Sequence, residues 1–346
     1  MVHLPDEVIV EILLRLPVKS LLRFRSVSKP WLSLISDPQF AKSHFELAYA
    51  RTYRLIYIAA SRVYSIDHEA SFHDDSAIVR LDFPLELNFW LPIMGSCRGL
   101  LLFDNYPSLL VWNPSTGAHK EVPCSAIAAP YDVFPFLFGL GYDPSTDDYL
   151  IVIASYDLEG EYGETHFEFF SLKTHCWKNL EGDGFPYINH MDDTRAGSLI
   201  NGAIHWLAFR PDVSQIVIVG FDLIEKNLME VPLPDTDDIY IDDCHLVVLG
   251  GFLCLCDTDG STWVMKEYGV RSSWTKLDKV DIPTSYYLPI CHTKCGHTVG
   301  EDSVSGLLKF NHNGELLEHR EFFVDPYGCQ VALYTESLLT LPIGEP

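Results

Sequence analysis

Apolar side chains recur at helical spacing over the first 45 residues and at strand-like spacing over the remainder of the chain. The first helical stripe ends at Pro17, and its members are Val8, Ile9, Ile12, Leu13 and Leu16. Ser28 is placed to cap a third short helix, and Asp37-Pro38 to begin a fourth. The pattern therefore predicts a small module of about four short helices over residues 1–50.

This helical module carries more large apolar side chains than a unit of its size can bury. Segments of about 40 residues seldom form a stable core without a metal, a disulfide or a partner. Two interpretations follow from the residues alone. The module is a cap packed on the rest of the chain, or it also presents apolar side chains to another protein.

After residue 50 the pattern changes to short β-rich runs separated by turn residues, with no long amphipathic helix. These runs occur in pairs, and each pair has a turn residue at an equivalent position. Successive turn residues are 44 to 58 residues apart, and they are Asp67, Asn113, Ser171, Asp222, Glu267 and Asn311. A second hairpin signal precedes most of these pairs: Arg98-Gly99, Asp143 to Thr146, Asn201-Gly202 and Gly250-Gly251. Four strands per repeat of this length are typical of a propeller blade.

The predicted fold is mainly β with a small N-terminal α module, and the β region is a closed propeller of about six blades. Blades stack because a single four-stranded sheet cannot cover its own two faces. The last apolar run, Val331 to Leu341, has no strand after it. We expect it to pair with the first β run, near residues 53–60, and so to close the ring. The predicted domains are residues 1–50 and 51–346.

Charge divides the chain into the same two parts. Residues 1–50 carry a net charge of +1 and the remainder carries −25. An acidic surface disfavours binding to nucleic acid phosphates and is compatible with a basic protein partner. The nine cysteines are odd in number, and no signal peptide or apolar run long enough to span a membrane is evident. We therefore expect reduced thiols and a location in the cytoplasm, the nucleus or both.

Features that suggest an enzyme or a metal site are weak. Cys291, His292, Cys295 and His297 lie close together, but zinc sites usually join two separated pairs. No phosphate-binding loop, dinucleotide fingerprint or G-x-S-x-G motif is present. Most tryptophans of the β region are expected in blade cores or rims. We therefore expect no catalytic residue, no metal and no cofactor.

A nearly continuous motif runs through the helical module: Leu4-Pro5-x-Glu7, Ile12-Leu13-x-Arg15-Leu16-Pro17-Val18-Lys19-Ser20-Leu21, Arg23-Phe24-Arg25-x-Val27-Ser28-Lys29-x-Trp31 and Ser36-Asp37-Pro38-x-Phe40. This stretch resembles the F-box, and the plant form in particular. Pro30 departs from the family pattern, but proline is tolerated in the first turn of a helix.

Two segments of the β region carry a second motif: Gly95-Ser96-Cys97-Arg98-Gly99-Leu100-Leu101 with Val111-Trp112-Asn113-Pro114-Ser115-Thr116-Gly117, and Phe138 to Tyr149. They resemble the F-box-associated, kelch-like interaction domain of plant F-box proteins. Immune-receptor-regulating and S-locus-type F-box proteins share this architecture.

The two resemblances together imply the substrate-recognition subunit of an SCF-type cullin-RING ubiquitin ligase, which is not itself an enzyme. The helical module would bind a Skp-type adaptor, and through it the cullin and RING subunits, while the propeller would bind a protein substrate. Two alternatives stay open: a stand-alone propeller scaffold whose helices pack internally, and a propeller lectin or hydrolase.

Candidate interaction residues follow from these expectations. We expect ten residues of the helical module either to form its core or to enter a groove of the adaptor. These candidate adaptor-binding residues are Leu4, Pro5, Ile9, Ile12, Leu13, Leu16, Pro17, Leu21, Phe24 and Trp31. For a substrate, an acidic run that includes an aromatic side chain has a composition suited to recognition. Its members are Asp237, Asp238, Tyr240, Asp242 and Asp243.

Overall fold

The computed structural model describes residues 5–48, 53–59, 62–85, 91–105, 107–127, 133–157, 165–181, 185–188, 195–235, 244–257, 260–277, 287–302, 306–321 and 329–342. These residues form four α-helices followed by 25 β-strands. The mainly β fold with an N-terminal helical module is therefore confirmed.

The helices are α1 (Asp6–Leu13), α2 (Val18–Phe24), α3 (Lys29–Ile35) and α4 (Pro38–Ala48). Both predicted caps are present. The Ser28 side chain accepts a hydrogen bond from the Trp31 backbone N–H at 3.3 Å, and Asp37 Oδ1 accepts one from the Phe40 N–H at 3.0 Å. Pro30 lies in the first turn of α3, where its missing N–H costs nothing.

The strands, in chain order, are β1 (Tyr53–Ala59), β2 (Arg62–Ile66), β3 (Ile78–Leu81), β4 (Ile93–Cys97), β5 (Leu100–Asn105), β6 (Ser108–Trp112), β7 (His119–Pro123), β8 (Val133–Asp143), β9 (Asp148–Asp157), β10 (Thr165–Ser171), β11 (Cys176–Asn179), β12 (Arg195–Ala196), β13 (Ser198–Ile200), β14 (Ala203–Arg210), β15 (Gln215–Asp222), β16 (Leu228–Val231), β17 (Cys244–Leu249), β18 (Phe252–Asp257), β19 (Thr262–Met265), β20 (Trp274–Lys276), β21 (Leu288–His292), β22 (Thr298–Glu301), β23 (Gly306–Phe310), β24 (Leu316–Glu321) and β25 (Gln330–Thr335).

These described strands form six sheets, the blades of a propeller. Blade 1 has the order β25-β1-β2-β3, and blade 2 contains β4 to β7. Blade 3 contains β8 to β11 with β12 added in parallel beside β8. Blades 4, 5 and 6 contain β13 to β16, β17 to β20 and β21 to β24. The predicted number of blades is confirmed.

The repeated turn residue ends or follows the third strand of each blade, and its role is local. In blades 2, 4 and 6, the side-chain oxygens of Asn113, Asp222 and Asn311 each accept a hydrogen bond from the backbone N–H two residues later, at 2.8 to 2.9 Å. Asp67 does the same in blade 1 at 3.1 Å. Asn and Asp recur at these positions because their side chains stabilise the turn.

Apolar clusters lie between neighbouring blades. One cluster joins blades 2 and 3, another joins blades 3 and 4, and a third joins blades 4 and 5. The cluster between blades 6 and 1 contains Leu55, Tyr57 and Phe72 from blade 1 with Val299 and Leu307 from blade 6. None of the described sheets is closed on itself by hydrogen bonds, so the blades meet through side-chain packing.

The C-terminal strand pairs with the first β-strand, as predicted, but over a shorter range. β25 runs antiparallel to β1 with register partners from Tyr53–Thr335 to Ile58–Gln330. The prediction that pairing continues to Leu341 is wrong. After Thr335 the chain leaves the sheet, and Leu338 and Leu339 pack among the helices instead.

Glu301, at the end of β22, predicts a pH dependence of stability. Burial and the adjacent Asp302 raise the pKa of Glu301 from 4.5 to about 8. Because the folded protein then binds this proton more tightly than the unfolded chain does, the free energy of unfolding should fall as the pH rises from 4.5 to about 8. Glu301→Gln should remove the contribution of this carboxyl group to the fall in the free energy of unfolding. Thermal unfolding of both proteins at pH 6, 7 and 8 measures it, and parallel pH profiles would contradict the assignment.

Candidate functional site

The predicted adaptor-binding residues divide between the core and the surface of the helical module. Their positions are as follows: Leu13 and Leu21 are buried; Ile9, Leu16, Phe24 and Trp31 are partly buried; Pro5, Ile12 and Pro17 are exposed; and Leu4 lies outside the described residues. Leu13 and Leu21 therefore support the fold of the module, and only the partly buried and exposed members are accessible to another protein.

Exposed apolar side chains are concentrated on this module. Of the twelve large hydrophobic residues that are exposed in the described part of the chain, four lie on the four helices and a fifth, Val27, lies in the turn between α2 and α3, although the β region is much longer. These five are Val8, Ile12, Val27, Leu32 and Leu47, with exposed fractions from 41% to 61%. Sequence reasoning selected only Ile12 from this set, because helical periodicity groups apolar residues without showing which of them the module itself buries.

Polar contacts join the helices to one another. His44 of α4 is buried, and its Nε2 lies 2.8 Å from the carbonyl oxygen of Leu16. Burial lowers the pKa of His44, which favours the neutral ring. Leu16 therefore makes two kinds of contact within the module: its side chain packs in the helical cluster, and its carbonyl oxygen accepts a hydrogen bond from His44 of α4.

The helical module lies against blades 2 and 3, and Arg98 is central to this contact. The Arg98 guanidinium lies 4.6 Å from the ring centroid of Phe45 in α4 and 4.1 Å from that of Tyr142 in blade 3. It also donates a hydrogen bond to Glu46 at 3.0 Å. Lys42 pairs with Asp147 at 3.1 Å nearby. Arg98 belongs to the second sequence motif, and these contacts connect α4 to the propeller.

The proposed substrate residues Asp237, Asp238, Tyr240, Asp242 and Asp243 lie outside the described residues. The adjacent Asp235 is described and exposed. The segment that contains them follows β16 of blade 4 and precedes β17 of blade 5. Their assignment as a recognition surface stays a prediction.

A cavity of about 1230 Å³ lies along the inner strands of the propeller. Strands β4, β13, β17, β21 and β25 contribute to its walls, which combine apolar side chains with Arg195, His245 and Glu301. Across the described residues, no group of three or more His, Cys, Asp or Glu side chains is arranged to hold a metal ion. Cys291, from the weak zinc motif, is buried, and burial raises the pKa of its thiol to about 12.

Three tryptophans of the β region are too deeply buried to form a carbohydrate platform. Trp112 and Trp206 are each 1% exposed, and Trp274 is 8% exposed. Trp206 donates a hydrogen bond to the carbonyl oxygen of Phe138 in the neighbouring blade at 2.8 Å. These rings are blade core, as predicted.

In the described part of the chain, no helix has the length and apolar character needed to cross a membrane.

Comparison with known proteins gives matches over both parts of the chain. Residues 1–43 match the F-box domain, and residues 54–325 match the F-box associated beta propeller domain. F-box protein CPR1 of Arabidopsis thaliana is 33% identical over 329 residues, which cover 85% of this chain and 78% of the relative. An F-box/kelch-repeat protein of the same plant is 30% identical over 307 residues, covering 83% of this chain and 82% of the relative.

One match among the solved structures is distant in sequence. The six-bladed lectin of Aleuria aurantia matches with a TM-score of 0.43 and 11% identity, over 80% of this chain and 96% of the lectin. At this level the match bears on neither the ligand nor the activity of the chain.

Proposed function

The chain belongs to the plant F-box proteins that carry an F-box-associated β-propeller domain, and we propose that it is the substrate-recognition subunit of an SCF-type cullin-RING ubiquitin ligase. Residues 1–50 bind the Skp-type adaptor, and residues 51–346 bind the protein to be ubiquitinated. The observation that supports this most strongly is the concentration of exposed apolar side chains on the helical module, where four of the five, Val8, Ile12, Val27 and Leu32, lie within the F-box match over residues 1–43. A groove on the adaptor would bury such side chains.

The chain performs no covalent chemistry in this proposal. A conjugating enzyme bound to the RING subunit carries ubiquitin as a thioester, and a substrate lysine attacks it. The contribution of the F-box protein is to hold the substrate near the thioester, which raises the effective concentration of the reacting groups. The site of action is the cytoplasm, the nucleus or both.

We also propose that the propeller forms a closed ring. Support comes from the pairing of β25 with β1 and from the apolar cluster that blades 6 and 1 share. A second link is polar: the Phe72 backbone N–H in the blade 1 loop donates to Glu318 Oε2 of blade 6 at 2.7 Å. The Lys309 ammonium of blade 6 lies 4.4 Å from the Phe72 ring centroid.

Leu16→Ala combined with Pro17→Ala is expected to abolish co-purification with the Skp-type adaptor while the propeller stays folded. Leu16 packs in the helical cluster, and Pro17 is the residue from which α2 begins. Removing a well-buried leucine side chain typically costs about 2–5 kcal/mol, which is an upper bound for the partly buried Leu16. A pull-down with the purified adaptor measures the effect. Val213→Ala combined with Ser214→Ala, at an exposed pair on the propeller, is the control. Undiminished binding by the double variant would argue against this surface.

Neutralising the acidic run in the connection between blades 4 and 5 is expected to slow substrate association. The variant replaces Asp235, Asp237, Asp238, Asp242 and Asp243 by Asn. Attraction between a basic substrate and these carboxylates acts mainly on the association rate and is screened over about 8 Å at physiological salt. Proximity labelling with the Leu16→Ala/Pro17→Ala variant, which would leave the substrate undegraded, supplies the substrate for this measurement.

Association rates at low and high salt then decide the question. The proposal expects a lower rate and a weaker salt dependence for the neutralised protein, with adaptor binding unchanged. Equal rates and equal salt dependence would place recognition elsewhere on the propeller.

A further inference from the structure

The core of the helical module is completed by residues from the opposite end of the chain. Leu338 and Leu339 are 1% and 9% exposed, and they belong to the same apolar cluster as Leu13, Leu21 and Phe45. We infer that residues 336–342, the C-terminal segment, are a structural part of the adaptor-binding module, with Leu338 and Leu339 as positioning residues for adaptor binding. This inference rests on the proposed function.

Blade 2 holds the C-terminal segment through specific hydrogen bonds. The side-chain amide of Asn113, itself fully buried, donates to the carbonyl oxygens of Ser337 at 3.2 Å and Leu339 at 2.9 Å. The Ser337 backbone N–H donates to Ser115 Oγ at 3.1 Å, and Lys120 Nζ donates to the Pro342 carbonyl at 3.2 Å. Four backbone polar groups of the segment are thus paired with side chains of blade 2.

The turn at Arg98 and Gly99 is shaped to admit the same segment. Gly99 has a φ of +84°, and a Cβ placed on it would lie 2.3 Å from Cβ of Ser337. Glycine is therefore required there both for the backbone conformation and for the close approach of the segment. Gly99 and Asn113, which both belong to the motif of residues 95–101 and 111–117, thus contribute to the binding site for the C-terminal segment.

The order of the chain makes the adaptor-binding module depend on a complete propeller. The segment follows β25 directly, and β25 is the inner strand of blade 1. In the folded protein, the pairing of β25 with β1 and the hydrogen bonds from Asn113 of blade 2 place Leu338 and Leu339 against the helices. A chain with an unfinished propeller would therefore present an incomplete adaptor-binding module, and it would bind the adaptor weakly.

The test replaces the two positioning residues in the full chain. Leu338→Ser with Leu339→Ser should raise the Kd for the Skp-type adaptor about tenfold or more, because apparent affinity falls in proportion to the fraction of molecules with a competent module. The matched control is Leu316→Ser with Leu317→Ser, an adjacent leucine pair on β24 that is 42% and 46% exposed. Leu338→Met with Leu339→Met keeps the apolar volume and should retain affinity.

Amide hydrogen exchange of α2 to α4 in the absence of adaptor provides an independent readout. The Ser pair should lose protection in these helices and retain it in blades 3 to 5, whereas the control pair should retain both. If the Ser pair does not fold, Asn113→Asp replaces it. That variant keeps the oxygen that caps the Ser115 turn and loses the amide donor to the C-terminal segment.

The outcomes distinguish this inference from the proposed function. A raised Kd and lost protection in the Leu338→Ser/Leu339→Ser variant, with neither effect in the control pair, support the inference. Unchanged Kd and unchanged protection overturn it and leave the proposed function standing. If the unmodified chain does not bind the adaptor, the proposed function fails, and hydrogen exchange alone then decides whether the C-terminal segment stabilises the helices.

Discussion

A chain that ends at Cys329 is expected to aggregate and to lose the cooperative unfolding transition of the β region. The truncation removes β25 and leaves one edge of β1 without a partner along Tyr53 to Ile58. Unpaired edges promote association between molecules. It also exposes apolar side chains of β1, since Leu55 and Tyr57 are 0% exposed in the intact protein.

Size-exclusion chromatography and thermal unfolding of the truncated chain measure this effect. A chain that ends at Thr335 is the matched control, because it keeps all the strands of blade 1 and lacks only the segment that packs on the helices. The control should remain monomeric with a folded propeller. A chain ending at Cys329 that is monomeric and equally heat-stable would contradict closure of the ring by β25.

Phe72→Ala is expected to lower the free energy of unfolding by about 3–5 kcal/mol, the usual cost of removing a buried phenylalanine side chain. Phe72 is 0% exposed and lies in the cluster that joins blade 1 to blade 6. The loop that carries it is also bound through its backbone to Glu318 and Arg320 of blade 6. The cavity left by the substitution would therefore lie between the first and last blades.

Chemical denaturation of the variant and of a surface control distinguishes this role from a general loss of apolar area. Phe252→Ala removes the same atoms from a side chain that is 43% exposed in blade 5. That control should change stability by only about 0.5 kcal/mol. Equal effects of the two substitutions would mean that Phe72 contributes no special link between blades 1 and 6.

The number of blades was predictable because turn chemistry is local. Asn113, Asp222 and Asn311 each cap their own turn, so the repeat is visible in the sequence without knowledge of any long-range contact. The helix starts at Ser28 and Asp37 were predictable for the same reason.

Contacts between distant parts of the chain were not predictable in this way. The run from Val331 to Leu341 is mostly apolar, and such a pattern does not show where within the run a strand ends. Its second half instead packs on the helices because Asn113 binds the backbone of the segment and directs it out of the sheet. The exposure of Val27 and Leu32 was likewise hidden, because periodicity shows a helical face and not what covers it.

We propose above that this chain connects a Skp-type adaptor to a substrate-binding propeller. The most direct test is to mix the purified full chain with the purified adaptor and measure the molar mass of the eluting species by light scattering. We expect a single species with the mass of a one-to-one complex, which the Leu16→Ala/Pro17→Ala variant does not form. Separate elution of the unmodified chain and the adaptor at concentrations of tens of micromolar would mean that the helical module does not bind this adaptor.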